Sequence, residues 1–327
     1  MFKKKNKFFS AVNWNNVSDK YSKVFWNQNV RQFWIDEEIP LSGDKLIWAA
    51  ELTEDEKDVY KKVLVGLTLL DTHQGSLGMT NIAMSIDNPH ATAVLQFMGM
   101  MEQMHAKSYS TIFSTLATSQ EIEELFKWSE QNPELQKKME IVSHHYENIK
   151  DDESLYMAMV ASVFLESFLF YSGFYYMLLL AGKGMMINSG EIINLIIRDE
   201  AIHGLYIGVL SMEIFKTFSE EKQKQMKEKV ICLLHELMEN EIKYTALIYS
   251  KIGLVEDVNK FLEYNANKAL QNLGFENEYS TTDKDINPIV FNGLKTTTKS
   301  HDFFSTKGNG YIKTTKVEEI KDEDFFF

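Results

Sequence analysis

Two short motifs in this chain could do chemistry together: Glu102-Gln103-Met104-His105 and Glu200-Ala201-Ile202-His203. On a helix, residues three apart share a face, so each motif aims a carboxylate and an imidazole the same way. Upstream of each motif stands another acid in an apolar stretch: Asp71 closes Leu67-Thr68-Leu69-Leu70-Asp71, and Glu166 sits in Val163-Phe164-Leu165-Glu166-Ser167-Phe168. A single Glu-x-x-His carries little information, because with eight histidines about one such pair is expected by chance. The apolar context carries more. A bare carboxylate buried among Val, Phe, Leu and Met costs several kcal/mol or stays protonated. Asp71, Glu102, Glu166 and Glu200 together balance the charge of two divalent ions, and His105 and His203 complete an oxygen and nitrogen donor set suited to iron or manganese. Carboxylate then Glu-x-x-His, twice over, is the ligand pattern of a two-metal site inside a four-helix bundle.

Helices must position these residues. Thr53-Glu54-Asp55-Glu56 reads as a capping box opening a helix that runs toward Ser85 and carries Asp71. Asn88-Pro89 pairs an N-cap with proline at the first helical position, and starts the helix of Glu102 and His105. Asp151-Asp152 begins an apolar helix with Glu166 near its middle, and Gly182-Lys183-Gly184 ends it. Residues 189–217 carry Glu200 and His203. Shorter helices are expected within 119–150, and longer ones over 219–251 and 255–272. Residues 1–50 read as an irregular, aromatic-rich segment that packs on the bundle, and 51–276 as the bundle itself. From 277 to 327 the composition turns to Thr, Lys, Asn, Gly and Asp without apolar period. This stretch reads as a disordered tail whose last residues, acidic and ending Phe325-Phe326-Phe327, form a partner-docking peptide.

Composition bounds the function. A net charge of −13 over 327 residues argues against a basic nucleic-acid face. The single Cys232 excludes an internal disulfide and a cysteine-ligated cluster. Met1-Phe2-Lys3-Lys4-Lys5 is basic but lacks the apolar core of a signal peptide, so a cytoplasmic protein is expected. Residues 157–182 are long and apolar enough to span a bilayer. Glu166 at their centre and the absence of a second span favour a buried central helix over a membrane protein.

Tyr109 lies one turn beyond His105 on the ligand stripe, and Phe170, Phe174 and Ile196 recur at helical spacing from Glu166 and Glu200. A phenol in such an apolar box could give an electron to an oxidised metal pair. With Tyr109 on that stripe, the ligand motifs, Leu165-Glu166-Ser167-Phe168 and Arg198-Asp199-Glu200-Ala201-Ile202-His203, the chain resembles the small, radical-generating subunits of class I ribonucleotide reductases, most closely those of class Ib. The resemblance spans nearly the whole chain.

The resemblance implies an all-α, ferritin-like di-metal bundle that forms a homodimer, with a flexible C-terminal tail. It implies one metal held by Asp71, Glu102 and His105 and a second by Glu166, Glu200 and His203, with Glu102 and Glu200 bridging. The cofactors would be two Fe or two Mn ions per chain and a tyrosyl radical on Tyr109. Trp34, in Gln32-Phe33-Trp34-Ile35-Asp36-Glu37-Glu38, would lie beside the site, and Asp199 would join Trp34 to the distal nitrogen of His105. Tyr311, in Gly308-Asn309-Gly310-Tyr311, would pass the oxidation to the large catalytic subunit bound through the tail. That subunit would reduce ribonucleoside diphosphates to deoxyribonucleotides. A flavodoxin-like activating protein is implied if manganese is used. The alternatives are a related ligand-binding di-metal oxidase, a metal-storage protein and a helical interaction module with a structural polar core.

Overall fold

The apolar stripes become helices that close around the acidic residues. The computed structural model describes residues 11–294, so Tyr311 and the docking peptide lie outside the described residues. The helices are α1 (Ser22–Arg31), α2 (Asp44–Ala50), α3 (Glu54–His73), α4 (Met79–Ser85), α5 (Pro89–Leu116), α6 (Ser119–Gln131) and α7 (Pro133–Glu147). They continue as α8 (Asp152–Phe164), α9 (Tyr171–Gly182), α10 (Ile187–Phe215), α11 (Glu220–Tyr249), α12 (Val255–Asn272) and α13 (Pro288–Leu294). There is no β-strand among the described residues.

Local chemistry fixes the ends. Thr53 and Glu56 form the capping box of α3, Thr118 and Glu121 that of α6, and Asn88 caps α5 through the N–H groups of His90 and Ala91. Each cap of this kind contributes about 1 kcal/mol. Helix α10 has no cap of its own. The distant Asp44 accepts from the N–H groups of Asn188 and Ser189 at 3.1 and 2.7 Å and fixes where α10 starts. This long-range cap leaves no local sequence signal.

Four rods make the core. α3 packs on α5, α5 on α10, α10 on α8 and α9, and α9 on α3, which closes the ring. Every residue from Leu155 to Leu180 is buried. The stretch Asp152–Gly182 is long and apolar enough to cross a bilayer, yet 94% of its most apolar window is buried inside the fold, as befits a central helix.

Two features interrupt regular α geometry, both beside a predicted ligand. Gln74–Gly78 is a π-turn between α3 and α4, three residues past Asp71, and Leu165–Leu169 is a π-turn that carries Glu166. Such turns are rare and concentrate at functional sites.

Two sequence-based expectations are corrected. Residues 1–50 are not irregular throughout. α1 packs on α5 with Phe25 wholly buried, and α2 follows. α1 escaped notice because its composition is polar, although Asp19 accepts from the N–H groups of Tyr21 and Ser22 at its start. The boundary at 276 is also too early. Residues 277–294 fold back on the bundle: Asn267 holds the backbone of Glu278 and Tyr279, and α13 packs on α9 with Val290 buried. Few apolar residues are needed there because Ile286, Val290 and Phe291 all face existing core.

Candidate metal centre

The four rods bring six side chains to one point. Asp71 comes from the last turn of α3, Glu102 and His105 from α5, Glu166 from the second π-turn, and Glu200 and His203 from α10. All six have no solvent exposure. Both imidazoles turn Nδ1 inward. His105 Nδ1 lies 3.3 Å from Asp71 Oδ1, 3.3 Å from Glu102 Oε2 and 3.0 Å from Glu200 Oε1. His203 Nδ1 lies 2.6 Å from Glu102 Oε1, 3.4 Å from Glu200 Oε2 and 3.8 Å from Glu166 Oε2. The ligand atoms form two groups, Asp71, Glu102, His105 and Glu200, and Glu102, Glu166, Glu200 and His203, each within 4.8 Å. Glu102 and Glu200 belong to both.

This geometry fits two ions. Asp71 Oδ2, Glu166 Oε2, His203 Nδ1 and both carboxylate oxygens of Glu102 and Glu200 make no hydrogen bond despite these short separations. Their lone pairs converge instead of pairing, and burying such groups uncompensated would cost several kcal/mol. Without ions, protons must share the space. Burial pushes the carboxyl groups of Asp71 and Glu166 well above their usual range, against the pull of the facing imidazoles. Burial acts likewise on Glu102, but His203 and His105 overcome it and hold Glu102 down to about 2. Burial disfavours charge on the imidazoles, yet the surrounding carboxylates, Glu200 foremost for His105 and Glu102 for His203, raise both well above the usual histidine range. A dication pair would replace those protons.

Around this centre, His105 Nε2 meets Asp199 Oδ2 at 3.2 Å. Asp199 also accepts from Trp34 Nε1 at 2.7 Å and from Gln32 Nε2 at 2.9 Å. The Trp34 ring stacks on His105 with centroids 6.0 Å apart. Burial pushes the Asp199 carboxyl up, but the His105 hydrogen bond and the Arg198 charge hold it below its usual range. Tyr109 is fully buried and its hydroxyl has no hydrogen-bond partner among the described residues. Burial, then the charges of Asp71 and Glu200, raise its phenol well above the ordinary value. Phe170, Phe174 and Ile196 are buried as well.

Sequence reasoning missed three groups. Gln32 shares Asp199 with Trp34 and stands two residues before it. Gln74 donates to Glu166 Oε1 and to Ser162 Oγ, and Tyr146 donates to Gln74. The one signal Gln74 carried was its place three residues after Asp71, among the polar neighbours Thr72, His73 and Ser76. Tyr146, in a polar amphipathic helix, carried none.

The family model "Ribonucleotide reductase, small chain" matches residues 11–288. The chain belongs to the ribonucleotide reductase small-chain family. It is 56% identical to the Bacillus subtilis ribonucleoside-diphosphate reductase subunit beta over 98% of this chain and 97% of the relative. It is 41% identical to the Escherichia coli ribonucleoside-diphosphate reductase 2 subunit beta over 97% of this chain and 98% of the relative. Among solved structures, Streptococcus sanguinis dimanganese(II)-NrdF superposes with a TM-score of 0.85 at 45% identity, covering 88% of this chain and all of that one. The buried cluster and the dimanganese relative together support a di-metal site in this chain, within the ferritin-like bundle of that family.

Proposed function

We propose that this chain generates and stores the oxidising equivalent with which a large catalytic subunit reduces ribonucleoside diphosphates to deoxyribonucleotides. The observation that carries the reading is the pair of overlapping ligand groups with a sealed tyrosine one turn along the same helix. The whole-length match to reductase beta subunits supports it over a ligand-binding di-metal oxidase.

Asp71, Glu102 and His105 would hold one ion, and Glu166, Glu200 and His203 the other, with Glu102 and Glu200 shared between them. When bound, a pair of iron or manganese ions supplies the power to remove one electron from a phenol. The dimanganese relative supports manganese, and an oxidant would then come from a flavodoxin-like activating protein. Tyr109 is the residue we assign as the stored radical. Burial and the Asp71 charge keep its phenol protonated until it is oxidised, and burial shields it from reductants and water. His105, Asp199 and Trp34 would carry the oxidation outward, and Tyr311 with the C-terminal peptide would pass it to the large subunit. The chain would work in the cytoplasm as a homodimer.

Tyr109→Phe tests the reading. It keeps the ring and removes the oxidisable hydroxyl. The variant should bind two ions per chain, show no tyrosyl signal by electron paramagnetic resonance and support no nucleotide reduction. Turnover with the large subunit would place the radical elsewhere.

A further inference from the structure

Gln74 opens the first π-turn and is fully buried. Its Nε2 donates to Glu166 Oε1 and, at 2.7 Å, to Ser162 Oγ. Its Oε1 accepts from Tyr146 Oη at 2.6 Å. Tyr146, near the end of α7, is buried too. A side-chain amide has a donor end and an acceptor end, and only one orientation serves this network. Reversed, the amide oxygen would face a carboxylate oxygen, and the Tyr146 hydroxyl would lose its acceptor. The acceptor-only carboxylate sets which end of the amide it meets, the Tyr146 hydroxyl holds the amide's oxygen end in place, and the amide in turn fixes one oxygen of Glu166. The other, Oε2, is left without a hydrogen bond and faces His203 Nδ1 at 3.8 Å.

The backbone is shaped to this network. A Cβ on Gly78 would stand 2.8 and 2.9 Å from Tyr146 Cε2 and Cζ, and closer still to Gln74 Oε1. A Cβ on Gly75 would stand 2.7 Å from the Gly99 carbonyl and 2.9 Å from Glu102 Cβ. The π-turn is pressed against the Gln74–Tyr146 pair on one side and the ligand helix α5 on the other. The Asn81 amide, one turn on, donates to the Tyr146 carbonyl at 3.1 Å and ties α4 to the end of α7.

We propose that Gln74, locked by the Tyr146 hydroxyl, is a positioning residue that decides which oxygen Glu166 offers to a metal ion, and so sets the affinity of the Glu166–His203 half of the site alone. The proposal rests on the reading that the cluster holds two ions. Partners of this kind, one bond removed from the metal, commonly change affinity by about 10–100-fold when lost.

The full chain, stripped of metal, is titrated with manganese(II) while free and bound ion are followed by electron paramagnetic resonance and folding by circular dichroism. The wild type should take two ions. Tyr146→Phe keeps the ring and should weaken one of the two ions about tenfold, leaving the other within about twofold. Gln74→Met should weaken the same ion by about 10–100-fold. At saturating manganese both variants should show an altered spin-coupled signal. If the melting temperature falls while both affinities and the coupled signal stay unchanged, the pair is only core packing and the proposal is overturned. Equal weakening of both ions overturns it as well. A wild type that fails to take two ions removes the reading beneath it, an outcome distinct from variants that match a two-ion wild type.

Discussion

The Asp71–His105 half of the cluster is fastened through its imidazole, and the Glu166–His203 half through its carboxylate. His105 Nε2 is backed by Asp199, which Trp34 and Gln32 hold in turn. Arg198 beside them donates to the Gln32 carbonyl at 2.7 Å, and its side chain is 29% exposed. His203 Nε2 has no hydrogen-bond partner among the described residues, and the support on its side ends at the buried Tyr146. One half thus has a polar chain reaching toward the surface, and the other is closed behind an amide and a phenol. The difference suits a device that must export an oxidising equivalent in one direction and leak it in no other. We propose that the outward chain is the export side.

The largest break in the comparison should come from a residue both halves share. Glu102→Ala removes a carboxylate from each group and should cost both ions, measured as metal per chain after dialysis. The fold should survive, because His203, without the Glu102 charge that favours its proton, can become neutral and leave no unpaired charge behind. Two retained ions would mean that Glu102 does not bridge. Glu166→Ala should break one half only, leaving one ion held by Asp71, His105 and the shared carboxylates. Full occupancy in that variant would refute Glu166 as a ligand.

Asp199→Ala sharpens the comparison instead of erasing it. His105 loses its backing, so the first half should weaken by about 10–100-fold while the second stays put. With excess metal the radical should still form but not leave, and nucleotide reduction by the large subunit should fall below detection. Asp199→Asn keeps an acceptor without the charge and should recover metal affinity more than export. Near-normal reduction by Asp199→Ala would take Asp199 off the pathway.

The two halves also differ in how far the sequence revealed them. The six candidate ligands could be singled out because each is a charged or ionisable residue in an apolar stretch, at a spacing that helical geometry converts to one face, and the structure brings all six to one point. Asp199 and Trp34 came from family resemblance, since nothing in their local sequence places α10 beside the segment after α1. The Gln74–Tyr146 side stayed hidden. Its aim depends on a π-turn, which shifts the helical register by one residue and leaves no periodic signature. The same limit applies to α13, whose burial depends on a groove formed by α9 and α10. Sequence period reports what a helix does alone, and these features exist only between helices.

The smallest expected effect is on proton release, and it tests both halves at once. Without ions, burial raises the Asp71 and Glu166 carboxyls, and neighbouring carboxylates raise both imidazoles against burial, so each half holds its protons to higher pH than free side chains would. An ion can bind only after displacing them. Raised folded-state values mean that the competing protons are lost as pH rises, so affinity for both ions should increase from about pH 6 to about pH 8. Asp199 is held low and stays charged across that range, so the His105 Nε2 proton remains in place and only the inward Nδ1 is contested. Calorimetry in two buffers of different ionisation enthalpy should find roughly one or more protons released per ion in each half. Asp199→Asn should alter the release of the first half and leave the second unchanged. Affinity that is flat across this pH range, with no proton release, would mean that the cluster is already deprotonated and held open before any ion arrives.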